Sequence, residues 1–351
     1  MSYSFETSEI KATYIAKGAY AEEAPENVIL PNDPKSSLYE RPMGFYSEDL
    51  REKFINSSAR IAGVGGGGLT LAAMLAKEGV ADFSIADIDN VDETNVGRIP
   101  MLTPGDIGRR KVDVAAELIT KHNPCAVVRV YADGVQKNNV EEFVGLDADN
   151  SGLTVCFDEI DLNSPEIALM FHRTARRLGK FVIAATDVDR GGMVTTFDPS
   201  KQRHTFEKYT GAKSSDTEEE YLRKVTGFQI PTIPNIPKNG TWSTFKSTMD
   251  KAPLPTTLRS VLVASDLALD EFEKLLTLDD KRYENPHIYP KIHAVNPSAG
   301  EDFVTRLPRV RSIARICMAL SRDKLGLNPP TSYSIEQQNE RMAYRSTNSC
   351  Q

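Results

Sequence analysis

The segment Ile61-Ala-Gly63-Val-Gly65-Gly66-Gly67-Gly68 follows a short β-type run and opens a helical pattern. It fits the motif G-x-G-x-x-G at Gly63, Gly65 and Gly68. Glycines at these positions let the backbone turn sharply and approach phosphate groups, and the following helix offers unpaired N–H groups at its N-terminus. Asp87 lies 19 residues after Gly68, where an acid can accept hydrogen bonds from a ribose. We expect an adenine nucleotide at this loop; the alternative is a tight strand-to-helix turn that binds no ligand.

Short β-type runs alternate with helical patterns from about Ser58 onward. Strands are predicted at residues 59–62, 83–87, 126–131, 153–157, 181–185 and 193–197. Helices are predicted at residues 67–77, 111–122, 165–178, 259–276 and 310–320. Strands that alternate with helices of this length are typical of βαβ units. The sequence therefore predicts an α/β fold with a Rossmann-like, doubly wound and mostly parallel sheet.

Composition divides the rest of the chain into an arm, a long loop and an extension. Residues 1–57 are expected to form an N-terminal arm before the nucleotide-binding core at 58–200. Residues 201–257 hold the runs SSDTEEE and QIPTIPNIPKNG, and proline disfavours both helix and ladder pairing. We therefore expect a long, irregular crossover loop there. Helical patterns then resume, so residues 258–351 are expected to form a C-terminal helical and strand extension packed on the same domain.

Length, charge and cysteine content exclude several classes of protein. The chain has 351 residues and a formal net charge of −7, so its overall field repels nucleic acid. It has no run of 18 or more apolar residues and no signal-peptide pattern at its N-terminus, so we expect no membrane partner and a cytoplasmic location. Its 4 cysteines form no C-x-x-C pair, so neither a disulfide framework nor a zinc site is predicted.

Polar residues beyond the glycine loop distinguish between two kinds of nucleotide chemistry. Asn95, Arg98 and Lys111 follow the strand that ends near Asp87. A triphosphate needs such groups, because cations neutralise the charge that develops when an anion attacks phosphorus, whereas hydride transfer to a nicotinamide does not need them. The alternative for each cation is a solvated surface charge. An NAD-dependent oxidoreductase and a non-catalytic binding subunit remain alternative interpretations of the sequence.

Several ordered motifs occur between about Tyr39 and Pro199. They are the glycine loop, Asp87-Ile-Asp89 followed by Asn95 and Arg98, Gly108-Arg-Arg-Lys111, Asn123-Pro124 and Asp158-Glu-Ile-Asp161. In order and spacing they resemble the ThiF/MoeB/HesA family of the ubiquitin-activating enzyme superfamily. The resemblance implies an enzyme that uses ATP and Mg²⁺ to convert a carboxylate into an acyl-adenylate, with release of pyrophosphate.

The resemblance also implies roles for individual residues. Asp87 would hold the ribose, and Asn95, Arg98 and Lys111 would contact the triphosphate. The implied nucleotide-binding set is Gly63, Gly65, Gly66, Gly68, Asp87, Asp89, Asn95, Arg98 and Lys111. The implied catalytic set is Arg98, Lys111, Asp161 and Arg41.

Two of these assignments involve a metal or a second subunit. Asp161 would be the carboxylate that binds Mg²⁺, and its alternative is an acid near a helix N-terminus. Asp158 or Asp89 could share the metal-binding or ribose-binding role. Arg41 lies 22 residues before the glycine loop and would reach the phosphates bound by a partner subunit, which implies a homodimer.

Departures from the family pattern bear on the substrate. The glutamine that usually follows the arginine is Ile99 here, and the two C-x-x-C pairs that bind zinc in many relatives are missing. No cysteine occurs between His204 and Thr257, where relatives that form a thioester carry one. We therefore expect adenylation of a peptide or small-protein carboxylate, captured by a nucleophile within the substrate, as in natural-product biosynthesis. The alternative is activation of the C-terminus of a ubiquitin-like or sulfur-carrier protein.

We expect different environments for the four cysteines. Cys125 and Cys156 are expected to be small buried hydrophobic residues. Cys317 fits the core face of a helical pattern, and Cys350 is expected to be a dispensable thiol of the tail. The sequence does not identify the carboxylate substrate or the group that accepts the activated acyl unit.

Overall fold

The computed structural model describes residues 11–23, 30–42, 45–145, 152–160, 164–188, 191–211, 213, 215–217, 220, 256–288, 291–296 and 301–306. Its strands are β1 Tyr14–Lys17, β2 Ser58–Ala62, β3 Asp82–Ala86, β4 Val127–Tyr131, β5 Thr154–Asp158, β6 Phe181–Val188, β7 Gly191–Phe197, β8 Lys291–Asn296 and β9 Glu301–Arg306. Its helices are α1 Glu48–Ile55, α2 Gly66–Lys77, α3 Glu93–Val96, α4 Lys111–His122, α5 Val140–Gly145, α6 Pro165–Arg177, α7 Phe206–Thr210 and α8 Leu258–Leu276.

All of these strands pair in one sheet, in the order β1-β4-β3-β2-β5-β6-β7-β8-β9. The central strands β4, β3, β2, β5 and β6 run parallel. Strand β1 pairs antiparallel with β4 at one edge, and β7, β8 and β9 extend the other edge as antiparallel strands. The predicted α/β, Rossmann-like fold is confirmed, and its parallel pairing is concentrated in the centre of the sheet.

The predicted positions of the central strands and of α2, α4, α6 and α8 agree with the structure to within a few residues. The positions of three outer strands of the sheet, β1, β8 and β9, were not predicted. Strand β1 lies within the expected arm and pairs with β4, while β8 and β9 form a hairpin that continues the sheet from β7. The helix predicted at 310–320 and most of the 201–257 segment lie outside the described residues.

Helices cover both faces of the sheet. On one face α2 packs against α4 and α8, and α8 also packs against β6 and β7. On the other face α5, α6 and α7 pack in series, with α6 against β6. Strands β2 and β3 are buried along their whole length, as expected for strands covered on both faces. None of the helices in the described part of the chain combines the length and apolar composition needed to cross a membrane.

A buried charge network joins three neighbouring parallel strands. The Nη2 group of Arg60 on β2 donates a hydrogen bond of 2.8 Å to Asp82 on β3, and Arg129 on β4 donates to the other carboxylate oxygen. Burial acts to raise the pKa of Asp82, but the charges of Arg60 and Arg129 outweigh burial and lower it. This network therefore depends on an ionised Asp82.

Candidate active site

The parallel strands end at a common edge, which places the candidate site. Ala62 at the end of β2 is in register with Ala86 of β3 and with Asp158 of β5. Strands β2 and β5 are neighbours, although the chain leaves β2 toward β3 on one side and returns to β5 on the other. In open α/β sheets such a switch point forms a crevice beyond the carboxyl ends of the strands, and ligands bind there.

The glycine loop lies directly at this switch point, and its three motif glycines have different surroundings. Gly63 has φ +96°, and a Cβ on it would overlap the backbone oxygen of Glu159. A Cβ on Gly68 would overlap the backbone oxygen of Gly63. None of the described residues lies within 4 Å of the place that a Cβ on Gly65 would take. The first and third glycines therefore permit close backbone packing, whereas the second faces open space from which a ligand can approach.

Helix α2 begins at this open face. Its N-cap is Gly65, which has no side chain to accept hydrogen bonds from the first helical N–H groups. Those groups and the positive end of the helix dipole suit an anion. The Arg98 Nη1 atom lies 3.2 Å from the place of a Cβ on Gly66 and donates a hydrogen bond of 3.1 Å to Thr256 Oγ1. A guanidinium is therefore held beside the first turn of α2.

Helix α8 supports this arrangement from the other side. The side chain of Val261 lies against Gly66, and the Ser265 hydroxyl donates a hydrogen bond of 3.1 Å to the backbone oxygen of Gly67. Thr256, which orients Arg98, lies just before the N-cap residue of α8, Thr257. The position of Arg98 thus depends on a segment that is 158 residues away in the sequence.

Asp87 follows β3 and is fixed by the backbone on both of its carboxylate oxygens. Val64 N–H donates to Asp87 Oδ2 over 2.8 Å, and Asp89 N–H donates to Oδ1 over 2.9 Å. Burial raises the pKa of Asp87, and the nearby charge of Lys111 opposes that effect. A carboxylate oxygen has two lone pairs, so each Asp87 oxygen can still accept a hydrogen bond from a hydroxyl group.

Lys111 and Asn95 are both engaged within the chain. The Lys111 ammonium group forms an ion pair of 2.8 Å with Asp89 Oδ2, so these two predicted nucleotide contacts lie side by side. Asn95 is buried, and its Oδ1 accepts a hydrogen bond of 3.2 Å from the N–H of Asp92, as part of the capping box of α3. Among the described residues nothing accepts a hydrogen bond from its Nδ2, which leaves that group as a donor for a ligand.

Glu159 is a prominent residue of this crevice that the motifs do not single out. Its side chain runs across the glycine loop, and its carboxylate lies where a Cβ on Gly67 would be. None of the described residues donates a hydrogen bond to this carboxylate. Burial, together with the adjacent carboxylates of Asp187 and Asp158, raises the pKa of Glu159 well above its ordinary value. In the sequence Glu159 shows only that it follows a predicted strand, because the pairing of that strand with β2 is a tertiary feature.

Asp158, one of the alternative metal or ribose ligands, is already bonded on both oxygens. Its Oδ2 lies 2.7 Å from Nε2 of the buried His172, and its Oδ1 accepts a hydrogen bond of 3.2 Å from the N–H of Ile160. The His172 ring in turn stacks on Phe206, with 4.1 Å between the ring centres. These contacts fix Asp158 in one orientation at the end of β5.

Of the remaining predicted residues, only Arg41 lies in the described part of the chain. Asp161 lies outside the described residues, as do Cys317 and Cys350. Arg41 is exposed on the arm, and its guanidinium makes no hydrogen bond with the described residues. Within the part of the chain that the structure describes, no three His, Cys, Asp or Glu side chains form a group that could hold a metal ion by themselves.

Cys125 and Cys156 are free thiols and are buried, as expected. Burial raises the pKa of both, that of Cys156 to about 12. A thiol with such a pKa carries almost no thiolate at neutral pH, and the thiolate is the nucleophilic form. Neither of these two cysteines is suited to accept an acyl group.

Known proteins share the fold and parts of the sequence. The tRNA threonylcarbamoyladenosine dehydratase of Escherichia coli (strain K12) is 29% identical over 156 residues, covering 44% of this chain and 54% of the relative. The adenylyltransferase and sulfurtransferase UBA4 of Eremothecium gossypii is 29% identical over 144 residues, covering 40% of this chain and 30% of UBA4. This chain therefore spans about half of the first relative's length and less of the second.

Solved structures match over more of the chain. The structure of E. coli MccB with ATP has a TM-score of 0.56 at 18% identity and covers 80% of this chain and 74% of MccB. The structure of PaaA has a TM-score of 0.51, also at 18% identity, and covers 74% and 66% of the two chains. At this level of identity the likeness establishes the fold. The model of the ThiF family matches residues 39–298, which is most of the sequence, and the chain therefore belongs to the ThiF family.

Proposed function

We propose that this chain is an ATP-dependent adenylyltransferase that activates a carboxylate on a peptide or small protein and releases pyrophosphate. The observation that carries the proposal is the open face of Gly65 at the start of α2, with the Arg98 guanidinium beside it. Family membership supports the use of ATP, because the names of several relatives include an adenylyltransferase activity.

The described side chains suit the two ends of the nucleotide. Asp87 would accept hydrogen bonds from the ribose, while the N–H groups at the start of α2 would bind phosphate oxygens. Arg98 would neutralise the negative charge that grows when a carboxylate attacks the α-phosphorus. Lys111, positioned by Asp89, and the Nδ2 group of Asn95 would contact the outer phosphates.

The chemistry of the site fits Mg²⁺ bound mainly through the nucleotide. In ATP-dependent enzymes this ion is held by phosphate oxygens together with one or two carboxylates and water, and it lowers the repulsion between the phosphates and an anionic nucleophile. The Glu159 carboxylate, which accepts no hydrogen bond from the described residues, would supply an oxygen ligand of the kind that Mg²⁺ prefers, beside the first turn of α2. Asp161 would be the second such carboxylate.

A peptide substrate is supported by the likeness to MccB, because solved structures contain MccB together with ATP and with MccA. The buried state of Cys125 and Cys156 supports an acceptor other than those thiols. The similarity to UBA4 favours the second candidate, activation of a sulfur-carrier or ubiquitin-like protein. A homodimer in which Arg41 reaches the partner's nucleotide, and a cytoplasmic location, complete the proposal.

Pyrophosphate release tests the proposal. The protein would be incubated with ATP, Mg²⁺ and a panel of peptides and small proteins that end in a free carboxylate. We expect AMP and pyrophosphate to form in equal amounts, and only when an accepted carboxylate is present. The same reaction with each C-terminus blocked as an amide is the control. Tight ATP binding without release of pyrophosphate for any carboxylate would contradict the catalytic claim.

A further inference from the structure

Arg98 differs from the other cation of the candidate site in how it is held. The Lys111 ammonium group forms an ion pair of 2.8 Å with a carboxylate oxygen of Asp89. Among the described residues no carboxylate pairs with Arg98, and its one hydrogen-bond acceptor is the neutral hydroxyl of Thr256, over 3.1 Å. A carboxylate would cancel part of the charge of Arg98, whereas a hydroxyl holds the guanidinium and leaves its charge available to an anion.

Thr256 is itself kept in place by the start of α8. The next residue, Thr257, caps this helix: its hydroxyl accepts a hydrogen bond of 3.2 Å from the N–H of Ser260, and its own N–H donates to Ser260 Oγ over 2.9 Å. One turn further, the side chain of Val261 packs against Gly66 at the start of α2. An arginine side chain has many rotamers, so a hydroxyl fixed at this point restricts the positions that the guanidinium takes.

We propose that Thr256 is a positioning residue for adenylation, which holds the Arg98 guanidinium beside the first turn of α2 without neutralising it. The inference rests on the proposed function, because it assumes that a carboxylate attacks phosphorus at this turn. Thr256 acts through Arg98 and contacts no reacting atom. A guanidinium that is already in place needs no reorganisation when negative charge develops in the transition state. Loss of the Thr256 hydroxyl therefore slows the chemical step more than it weakens ATP binding.

Substitutions of Thr256 in the full chain separate the hydroxyl from the shape of the side chain. Thr256→Val keeps the shape and removes the hydroxyl. We expect it to lower kcat for pyrophosphate release by about 10- to 100-fold, and to change the Kd of ATP with Mg²⁺, measured by calorimetry, by less than about threefold. Thr256→Ser keeps the hydroxyl and should restore most of the rate. Thr120→Val, which removes a hydroxyl bonded to the backbone of α4, is the matched control and should leave kcat and Kd unchanged.

A double-mutant cycle with Arg98→Ala distinguishes positioning from a structural role. In a chain that already carries Arg98→Ala, Thr256→Val should lower kcat no further, because the group on which Thr256 acts is absent. An additional loss in that chain as large as in the unmodified one would overturn the proposal. The full rate in Thr256→Val would overturn it as well.

NMR spectroscopy of the full chain with ¹⁵N-labelled arginine tests the same contact without measuring activity. The guanidinium signals of Arg98 are assigned by their loss in Arg98→Lys. We expect rotation about the Nε–Cζ bond of Arg98 to be faster in Thr256→Val than in the unmodified chain, and an unchanged rate of rotation would overturn the proposal. Should Thr256→Val unfold at a lower temperature than Thr120→Val, Thr256→Ala, which also lacks the hydroxyl, takes its place with the same expected result.

The two kinds of measurement keep this inference apart from the proposed function. An unmodified chain that releases no pyrophosphate with any carboxylate overturns the proposed function. The NMR comparison still decides in that case whether Thr256 holds Arg98.

Discussion

Arg98 is the side chain on which the proposed chemistry depends most. It is held beside the first turn of α2 by a hydrogen bond to Thr256, so its charge is in place before the reaction begins. We expect Arg98→Ala to lower kcat for pyrophosphate release by about 10²- to 10⁴-fold, with a smaller change in KM, because the lost charge acts mainly in the transition state.

The control for this substitution is Arg177→Ala. Arg177 is 54% exposed and pairs with Glu141 on the outer surface of α6 and α5, away from the glycine loop. Steady-state kinetics of the two variants should therefore differ strongly. An Arg98→Ala variant with the full rate would show that Arg98 is an ordinary surface charge.

Asp82 tests the charge network beneath the site. Its replacement by Asn removes the carboxylate that pairs with the buried Arg60 and the largely buried Arg129, which costs about 3–5 kcal/mol of the free energy of unfolding. Urea unfolding at neutral pH measures this loss. Glu141→Gln, which removes one partner of an exposed ion pair, is the control and should change stability little.

The same residue predicts how stability depends on pH. The pKa of Asp82 in the folded chain is lower than its value of about 3.9 in an unfolded chain. Its stabilising effect is therefore complete above about pH 4 and is lost as the pH falls through the lower, folded value. Unfolding curves of Asp82→Asn should lack this acid-dependent loss. A variant with the same acid dependence as the unmodified chain would contradict the assignment.

The turn from β2 into α2 needs one glycine for close backbone packing and another for an open face. A Cβ on Gly68 would overlap the backbone oxygen of Gly63, which cannot move without disturbing β2. None of the described residues lies within 4 Å of the place of a Cβ on Gly65, so no such overlap arises there. We expect Gly68→Ala to lower the free energy of unfolding by about 1–3 kcal/mol, and Gly65→Ala to lower it by less, because its methyl group meets no overlap.

We expect Gly65→Ala, and not Gly68→Ala, to act mainly on ATP binding. Because the face of Gly65 is the proposed path of the phosphates, Gly65→Ala is expected to weaken ATP binding in a folded protein. Urea unfolding and calorimetric titration of the two variants check both halves of this prediction. A stable Gly68→Ala variant, or a Gly65→Ala variant that binds ATP normally, would show that these glycines have other roles.

The sequence predicts the buried elements better than the edge elements, for a physical reason. Strands β2 and β3 are covered on both faces, so they appear as short apolar runs between amphipathic helices. Strand β1 pairs with β4, more than a hundred residues away, and β8 joins the sheet through β7. Their pairing is set by tertiary contacts, and the polar runs around them give no local signal.

In the candidate site, too, some residues are predicted from local sequence, whereas others reach the site only through tertiary contacts. Gly63, Gly65, Gly68 and Asp87 follow from a motif whose spacing is local, so the sequence alone places them together. Glu159 reaches the glycine loop only because β5 lies next to β2 in register, which a linear pattern does not reveal. The contact between Thr256 and Arg98 likewise depends on how α8 packs on α2.

The nucleotide that the folded chain binds separates adenylation from hydride transfer. A ligand that binds only the folded chain raises its melting temperature in proportion to the logarithm of its concentration over Kd. We expect ATP with Mg²⁺ to raise the melting temperature clearly more than NAD⁺ at the same concentration, as measured by thermal-shift assay. A larger shift with NAD⁺ would favour an oxidoreductase.

The proposed reaction joins a carboxylate to the α-phosphorus of ATP. The most direct test uses a pool of peptides whose carboxylates carry ¹⁸O, incubated with the protein, ATP and Mg²⁺, followed by mass spectrometry of the nucleotide products. When the acyl-adenylate is consumed by a nucleophile, one labelled oxygen should remain on the phosphate of AMP, and unlabelled pyrophosphate should accompany it. Formation of ADP and phosphate, or of AMP without the label, would contradict the claim.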